Sequence, residues 1–376
     1  MMFKLKQSLL ATTVAAAVMV PAINANAGGT ITFGEDKSVT VGLGIRTSFT
    51  SQEDAAPNGS SRDKDFNLDS VRLYTSASLN KYIKGTFNTE RNADDSVRVL
   101  DAYGQFEFMP EFNVWAGRML PPTDRANLDG PYYLNAWSYP GVVSRYQSIF
   151  AGRDNGVTVW GKLLDKHLVY SVGAFEGNNA STAGSGALSP NRKDDLMYSA
   201  RVQYDFWEAN LDPAYYTSSV YYGKDVLSIA LVGMYQKDAV GTIGTKDDYL
   251  AYNIDAVLEK VLPMGVLNLE GAAYKYDFDN AAVAADGSFT QAGKAYLGLA
   301  SFMFPDVIGW GKFQPYTRYQ KFSADGTASL DVKEYDLGLN YIIDNHNARI
   351  STVYTHNKTE NADSFNRVTV GLQLQF

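Results

Sequence analysis

The stretch PPTDRANLDGPYYLNAWSYPGVVSRYQSIFAGRD, Pro121 to Asp154, gathers most of the side chains that could do chemistry. It carries Asp124, Arg125, Asp129, Arg145, Arg153 and Asp154 beside Tyr132, Tyr133, Trp137, Tyr139 and Tyr146. Opposed charges next to flat rings can steer an ion or brush a planar or sugar-like solute. That is contact chemistry and breaks no bond. The same rings could equally serve only to pack the loop. Residues for bond-breaking are sparse. His167, His346 and His356 form no spaced ligand set, so no metal site is expected. Only His356 has Asp363 and Ser364 near it in sequence, the thin basis for a hydrolase reading. GTIGTKDD, from Gly241, lacks the spacing of a phosphate-binding loop. Acidic pairs such as Asp194–Asp195 and Asp247–Asp248 read as solvated, or as sites for divalent cations shared with lipopolysaccharide. No cysteine is present, which removes thiol, haem-attachment and iron–sulfur chemistry, and no cofactor is expected.

The elements around this loop show one pattern. SVTVGLGIRTSF sets Val39, Val41, Leu43 and Ile45 against Thr40, Gly42, Gly44 and Arg46. DLMYSARVQYDF and EYDLGLNYII divide the same way, as does the final VTVGLQLQF, with Val368, Val370, Leu372, Leu374 and Phe376 on one face. A period of two means strands with one apolar and one polar face. About sixteen segments match that template. They begin near Ser38, Phe66, Ile83, Val97, Asn113, Asn155, His167, Asp195, Asp225, Asp248, Gly265, Lys294, Lys312, Val332, Ala348 and Phe365. Most are longer than the five or six residues of an average globular strand, and long enough to cross a bilayer at a tilt.

The links alternate between short, such as NKY, MPEF, LLDK, LPM and DNHN, and long, such as SQEDAAPNGSSRDKD and EGNNASTAGSGALSPNRK. Tight turns at one end and long loops at the other, with Phe106, Phe108, Phe206, Trp207, Phe304 and Trp310 at strand ends, predict a fold class. It is all-β: a transmembrane antiparallel up-and-down β-barrel of about sixteen strands. A soluble β-sandwich explains neither the strand length nor the loop asymmetry. The link WEANLDPAYYTSSVYYGK, 207–224, is long where a short turn is due and stands unexplained.

Residues 1–27 read as a signal peptide: Lys4 and Lys6, an apolar run from Leu9 to Val20, and Ala25-Asn26-Ala27 for cleavage. Removing it leaves 31 basic against 41 acidic residues, a net charge of −10 that argues against a nucleic-acid partner. The expected organisation is therefore a leader, 1–27, followed by one barrel, 28–376, in the outer membrane of a Gram-negative cell.

Two segments resemble known proteins. The last strand, closing on Phe376, is similar to the C-terminal signal of bacterial outer-membrane proteins, which implies that the barrel-assembly machinery is a partner through Phe376. LDAYGQFEFMPEFNVWAGRMLPP, Leu100 to Pro122, is similar to a hairpin of the phosphate-selective porin O and P family, with Asp101, Ala102, Tyr103, Gly117, Arg118 and Pro121 in the matching places. That family's ladder of inward arginines and its lysine cluster are absent, so phosphate specificity is not carried over. The resemblance implies a porin, a homotrimer, and a third outer loop, 120–154, folded inward as a constriction.

Turning each strand's polar parity to the lumen places Arg46, Arg72, Lys84, Arg118, Lys162, Arg201, Arg318, Arg349 and Arg367 inward. Glu90, Asp101, Glu107, Asp205, Asp255, Glu259, Glu270, Glu334 and Asp336 face them. So balanced a lining suits passive diffusion of small hydrophilic solutes or ions, with Arg118 and the third loop biasing by charge. The expected pore and constriction set is Arg46, Arg72, Asp101, Glu107, Arg118, Asp124, Arg125, Asp129, Tyr132, Arg145, Arg153, Lys162 and Arg201. An enzyme is not expected. The competing reading is a structural or partner-binding barrel with no channel activity.

Overall fold

The computed structural model describes residues 28–92, 94–146, 152–178, 190–278, 292–325 and 331–376. The leader and its cleavage site lie outside the described residues, as do positions 147–151 of the third loop.

The elements in order are β1 (Gly29–Thr32), β2 (Ser38–Gln52), β3 (Asp65–Ser78), β4 (Ile83–Arg91), β5 (Val97–Met109), β6 (Phe112–Met119), α1 (Arg125–Tyr133), β7 (Asp154–Leu163), β8 (Leu168–Phe175) and β9 (Met197–Asp205). There follow β10 (Val226–Thr242), β11 (Thr245–Leu262), β12 (Gly265–Asp277), β13 (Gly293–Met303), β14 (Lys312–Ala324), β15 (Val332–Asp344), β16 (Ala348–Thr359) and β17 (Phe365–Gln375). Among the described residues, β2–β17 form a closed antiparallel ring of 16 strands. Each pairs with its sequence neighbours, and β17 returns to β2 from Arg367↔Gln52 to Gln375↔Gly44. Closure matters because an open edge in hydrocarbon would leave backbone N–H and C=O groups unpaired. The seam is continued by Phe376, which exchanges backbone hydrogen bonds of 2.8 and 3.0 Å with Leu43. Below that point β1 pairs with β2, Gly29↔Val41 to Thr32↔Ser38. Sequence periodicity missed β1, since four residues are too few to show a period.

The apolar parity faces outward as expected. Leu337, Tyr198, Leu231 and Val370 are exposed, as a lipid-facing wall requires, and Phe106, Phe108, Phe206, Trp207, Phe304 and Trp310 are exposed at the strand ends. The inner face departs from the expectation. On β10, Val226, Ala230, Val232 and Met234 are buried inside the ring, and on β13 so are Ala295, Leu297 and Leu299. The inner faces of these strands are therefore largely apolar. Val232, Met234, Ala295 and Leu297 join Met119, Leu120, Leu128, Val143, Tyr146, Tyr274, Tyr276 and Phe322 in a core within the barrel. The lumen is thus partly a packed interior, and the third loop supplies much of the packing.

Candidate functional site

The third loop leaves β6 at Met119 and turns straight into the ring. Pro122 O accepts from Ser199 on β9, and α1 begins at Arg125. Gly130, at φ +62°, and Pro131 break α1 after little more than a turn; the positive φ is one that glycine takes at little cost. Leu134, in an extended conformation, ends the helix.

Charge fixes the start of the loop. Arg201 on β9 gives Asp255 on β11 two hydrogen bonds, 2.6 and 2.9 Å. Arg125 adds its backbone N–H at 3.2 Å and its Nε at 3.5 Å. All three residues are at most 2 % exposed, so one carboxylate neutralises two buried guanidinium groups. Arg125 also reaches Ser218 O at 2.8 Å and Ser228 Oγ at 2.9 Å. Asp124 accepts from Tyr274 Oη at 2.9 Å, and burial pushes its carboxyl up to about 6. Burial likewise raises Asp129, which accepts from Thr217 at 2.5 Å and from Ser219.

The middle of the loop is held by its backbone carbonyls. Arg349 donates to Leu134 O at 2.7 Å, Asn340 to Asn135 O at 3.0 Å, Arg46 to Trp137 O and Arg318 to Ser138 O at 2.6 Å. Trp137 lies flat on β17 at Gly371, where any Cβ would collide with the indole. Arg46 stacks over the same ring, 3.9 Å from its centroid. The return limb is tied to β12 and β11: Arg145 N donates to Tyr276 Oη at 2.7 Å and Tyr146 Oη to Asn253 at 2.6 Å.

The expected site residues therefore separate. Arg125, Arg201, Asp124 and Asp129 are buried and anchor the loop, and Arg145, half-buried, lies 3.7 Å from the Phe322 ring centroid. Lys162 is inward but is taken up by Asn210 Oδ1 at 2.8 Å and Asp212 O at 2.6 Å. Arg118 is corrected. It stands in register with Ala102 on β5 and Asn155 on β7, opposite in parity to Trp115 and Thr158, and so faces outward. The polar-inward rule inverts on β6 because Trp115 and Met119 point into the inner core.

The remaining members lie along one wall, on β2–β5. Arg72 pairs with Glu90, Asp101 with Arg153 at 3.0 Å, and Lys84 with Glu107 at 2.5 Å. Tyr132 projects to this wall between Arg46 and Arg72, its centroid 5.9 and 5.5 Å from their guanidinium carbons, and donates to Ser70 Oγ at 3.1 Å. On the short-turn side of Tyr132, the inward Ser76 is exposed, and Thr86, Asn88 and Gln105 are half-exposed. On the long-loop side lies an open cavity of about 300 Å³ lined by Ser48, Thr50, Asp69, Trp137, Arg367 and Thr369. By contrast Ser228, Ala251, Asn268, Gln320, Ser351 and Gln373, inward on β10–β17, are at most 1 % exposed. Exposure thus reaches toward Tyr132 from both ends, while Tyr132, Arg46 and Arg72 between them are buried, at 1, 6 and 8 % exposed.

A closed sixteen-strand barrel with an inward third loop is the fold of the outer-membrane porins. Residues 265–376, covering β12–β17, match the family model of phosphate-selective porin O and P, so the resemblance read from the sequence holds, though over strands other than the Leu100–Pro122 hairpin. No curated protein matches the chain in sequence. Among solved structures, OmpF of Salmonella typhi in complex with daunomycin superposes with a TM-score of 0.65 at 12 % identity, over 93 % of this chain and 100 % of that one. An anion-selective porin from Comamonas acidovorans gives 0.59 at 13 % identity, over 91 % and 100 %. OmpT of Vibrio cholerae, in its trimer form, gives 0.58 at 14 % identity, over 91 % and 100 %. At such identities the likeness is one of fold.

Proposed function

We propose that this protein is an outer-membrane porin that lets small hydrophilic solutes and ions diffuse passively along the β2–β5 wall. The carrying observation is the contrast between two sets of inner faces: those of β2–β5, reached from the short-turn end and from a cavity shared with β16 and β17, and those of β10–β14, where Ser228, Ala251, Asn268 and Gln320 are at most 1 % exposed. The neck offers one aromatic face and paired charges, a lining that filters by size and biases weakly by charge. Arg46 is paired more loosely than the others: its near contacts are Trp137, Tyr132 and the Trp137 carbonyl, and Asp69 acts on it without a direct ion pair. That looser pairing gives a weak positive bias, which favours anions modestly.

Export through residues 1–27, assembly through Phe376, contact with lipopolysaccharide and a homotrimer complete the proposal. The trimer is supported by the fold shared with OmpT in its trimer form. The hydrolase alternative gains nothing from the geometry: His356 Nδ1 contacts Asn366 Oδ1 at 2.8 Å, and its ring faces Tyr335.

Planar bilayers test the reading. Stepwise conductance is expected, and under a salt gradient the reversal potential of Arg46→Ala should move toward cation preference by roughly 5–15 mV. Absence of stepwise conductance at every voltage would sink the porin reading. An unmoved reversal potential would remove Arg46 from the charge bias.

A further inference from the structure

The link 207–224 joins β9 to β10 at the end of the barrel that otherwise carries tight turns. Its length is not needed for that connection, because Glu208 and Asp225 are already hydrogen-bonded as a hairpin, N–H to O, at 3.3 Å. The surplus turns up into the ring. Tyr215, Thr217, Ser219 and Val220 are at most 4 % exposed.

The surplus crosses the lumen from wall to wall. At one side Tyr215 and Tyr216 pack on Trp115, centroids 5.2 and 5.6 Å apart, and the Tyr216 hydroxyl meets that of Tyr103 on β5 at 3.1 Å. At the other side Asn268 on β12 donates to Ser219 O at 2.9 Å, and Glu259 on β11 accepts the backbone N–H groups of Tyr221 and Gly223 at 2.8 and 2.7 Å. The turn between β15 and β16 closes the span, with His346 Nε2 at 3.1 Å from Val220 O and its ring against Tyr222. From above, the third loop is latched on: Asp129 holds Thr217 and Ser219, and Tyr215 Oη donates to Leu120 O at 2.7 Å.

We infer that Pro213–Tyr222 is a second constriction element, a floor inside the barrel that sets the size limit of the passage together with the third loop. This rests on the channel reading and deepens it. Ala214, Tyr216, Tyr221 and Tyr222 are half-exposed, with Tyr216 beside β5 and Tyr222 beside the β15–β16 turn. The chemistry of the segment fits an interior role: it holds no charge, and Tyr215, Tyr216, Thr217 and Ser219 spend their hydroxyls on the third loop and the wall. Two inward elements that brace each other retain less conformational freedom than two independent loops, which keeps the neck at one width.

The test replaces Pro213–Tyr222 with Gly-Ser-Gly, and the full barrel is reconstituted for single-channel recording and for liposome swelling with neutral sugars of increasing size. The expected result is a conductance roughly two-fold or more above wild type and entry of larger sugars. Equal conductance and an equal size limit in a conducting pair would overturn the inference while leaving the channel reading intact. If neither protein conducts, both fall. Should the shortened barrel fail to fold, Thr217→Val combined with Ser219→Ala keeps the length and removes both hydroxyls from Asp129. More frequent switching between conductance levels is then expected, and wild-type switching counts against the floor.

Discussion

Asp255→Ala should destabilise the folded barrel by about 3–5 kcal/mol, the range for removing one partner of a buried ion pair. The carboxylate is the shared counter-ion of Arg201 and Arg125, which are themselves buried. Its loss leaves two guanidinium groups facing each other in an interior without water to solvate them. The damage should also spread to the loop, since Arg125 opens α1 and also holds Ser218 O of the floor. Unfolding by urea in lipid vesicles measures the stability, and limited proteolysis shows whether the third loop has come free. Asp225→Ala, which breaks the half-exposed pair with Lys260 at 2.5 Å, is the control and should cost far less than Asp255→Ala. If the two variants lose the same small amount, the loop is not held by the Asp255 cluster.

Tyr132→Ala should raise single-channel conductance roughly 1.5- to 3-fold, because it deletes the ring that narrows the passage. The side chain stands between Arg46 and Arg72 on the wall where exposure reaches toward it from both ends. Tyr132→Phe keeps the ring and loses only the bond to Ser70, so its conductance should stay near wild type. The pair separates width from hydrogen bonding. An alanine variant that conducts like wild type would mean the neck lies elsewhere.

Strand number, strand starts and facing were legible because a membrane wall enforces a period of two. Tyr335, Leu337 and Leu339 must meet lipid, and Glu334 and Asp336 must not. The inward third loop was legible only through resemblance. What failed was the assumption that the inside is polar. On β6 and β13 the inner positions are Trp115, Met119, Leu297 and Leu299, because they meet other protein rather than water. That inversion misplaced Arg118. Alternation cannot separate a lipid face from a core face, as both are apolar.

The floor was hidden for a related reason. PAYYTSSVYY lacks the charges a solvated turn would carry, and that lack was its signal. Nothing local says that its hydroxyls will meet Asp129, some ninety residues earlier in the chain. The arginines were legible as inward but not in their work. Arg318 and Arg349 look like a pore lining in sequence, whereas Arg349 holds the Leu134 and Asn135 carbonyls of the third loop and Arg318 is divided between Asp336 and Ser138.

The route along β2–β5 is the central claim, and the absence of cysteine makes it directly measurable. Single thiols at Ser76→Cys on the open wall and Ser301→Cys on the sealed wall are each treated with a negatively charged methanethiosulfonate during single-channel recording. A stepwise fall in current is expected at position 76 and none at 301. A block at 301 with none at 76 would place the passage on the other side of the barrel and contradict that route.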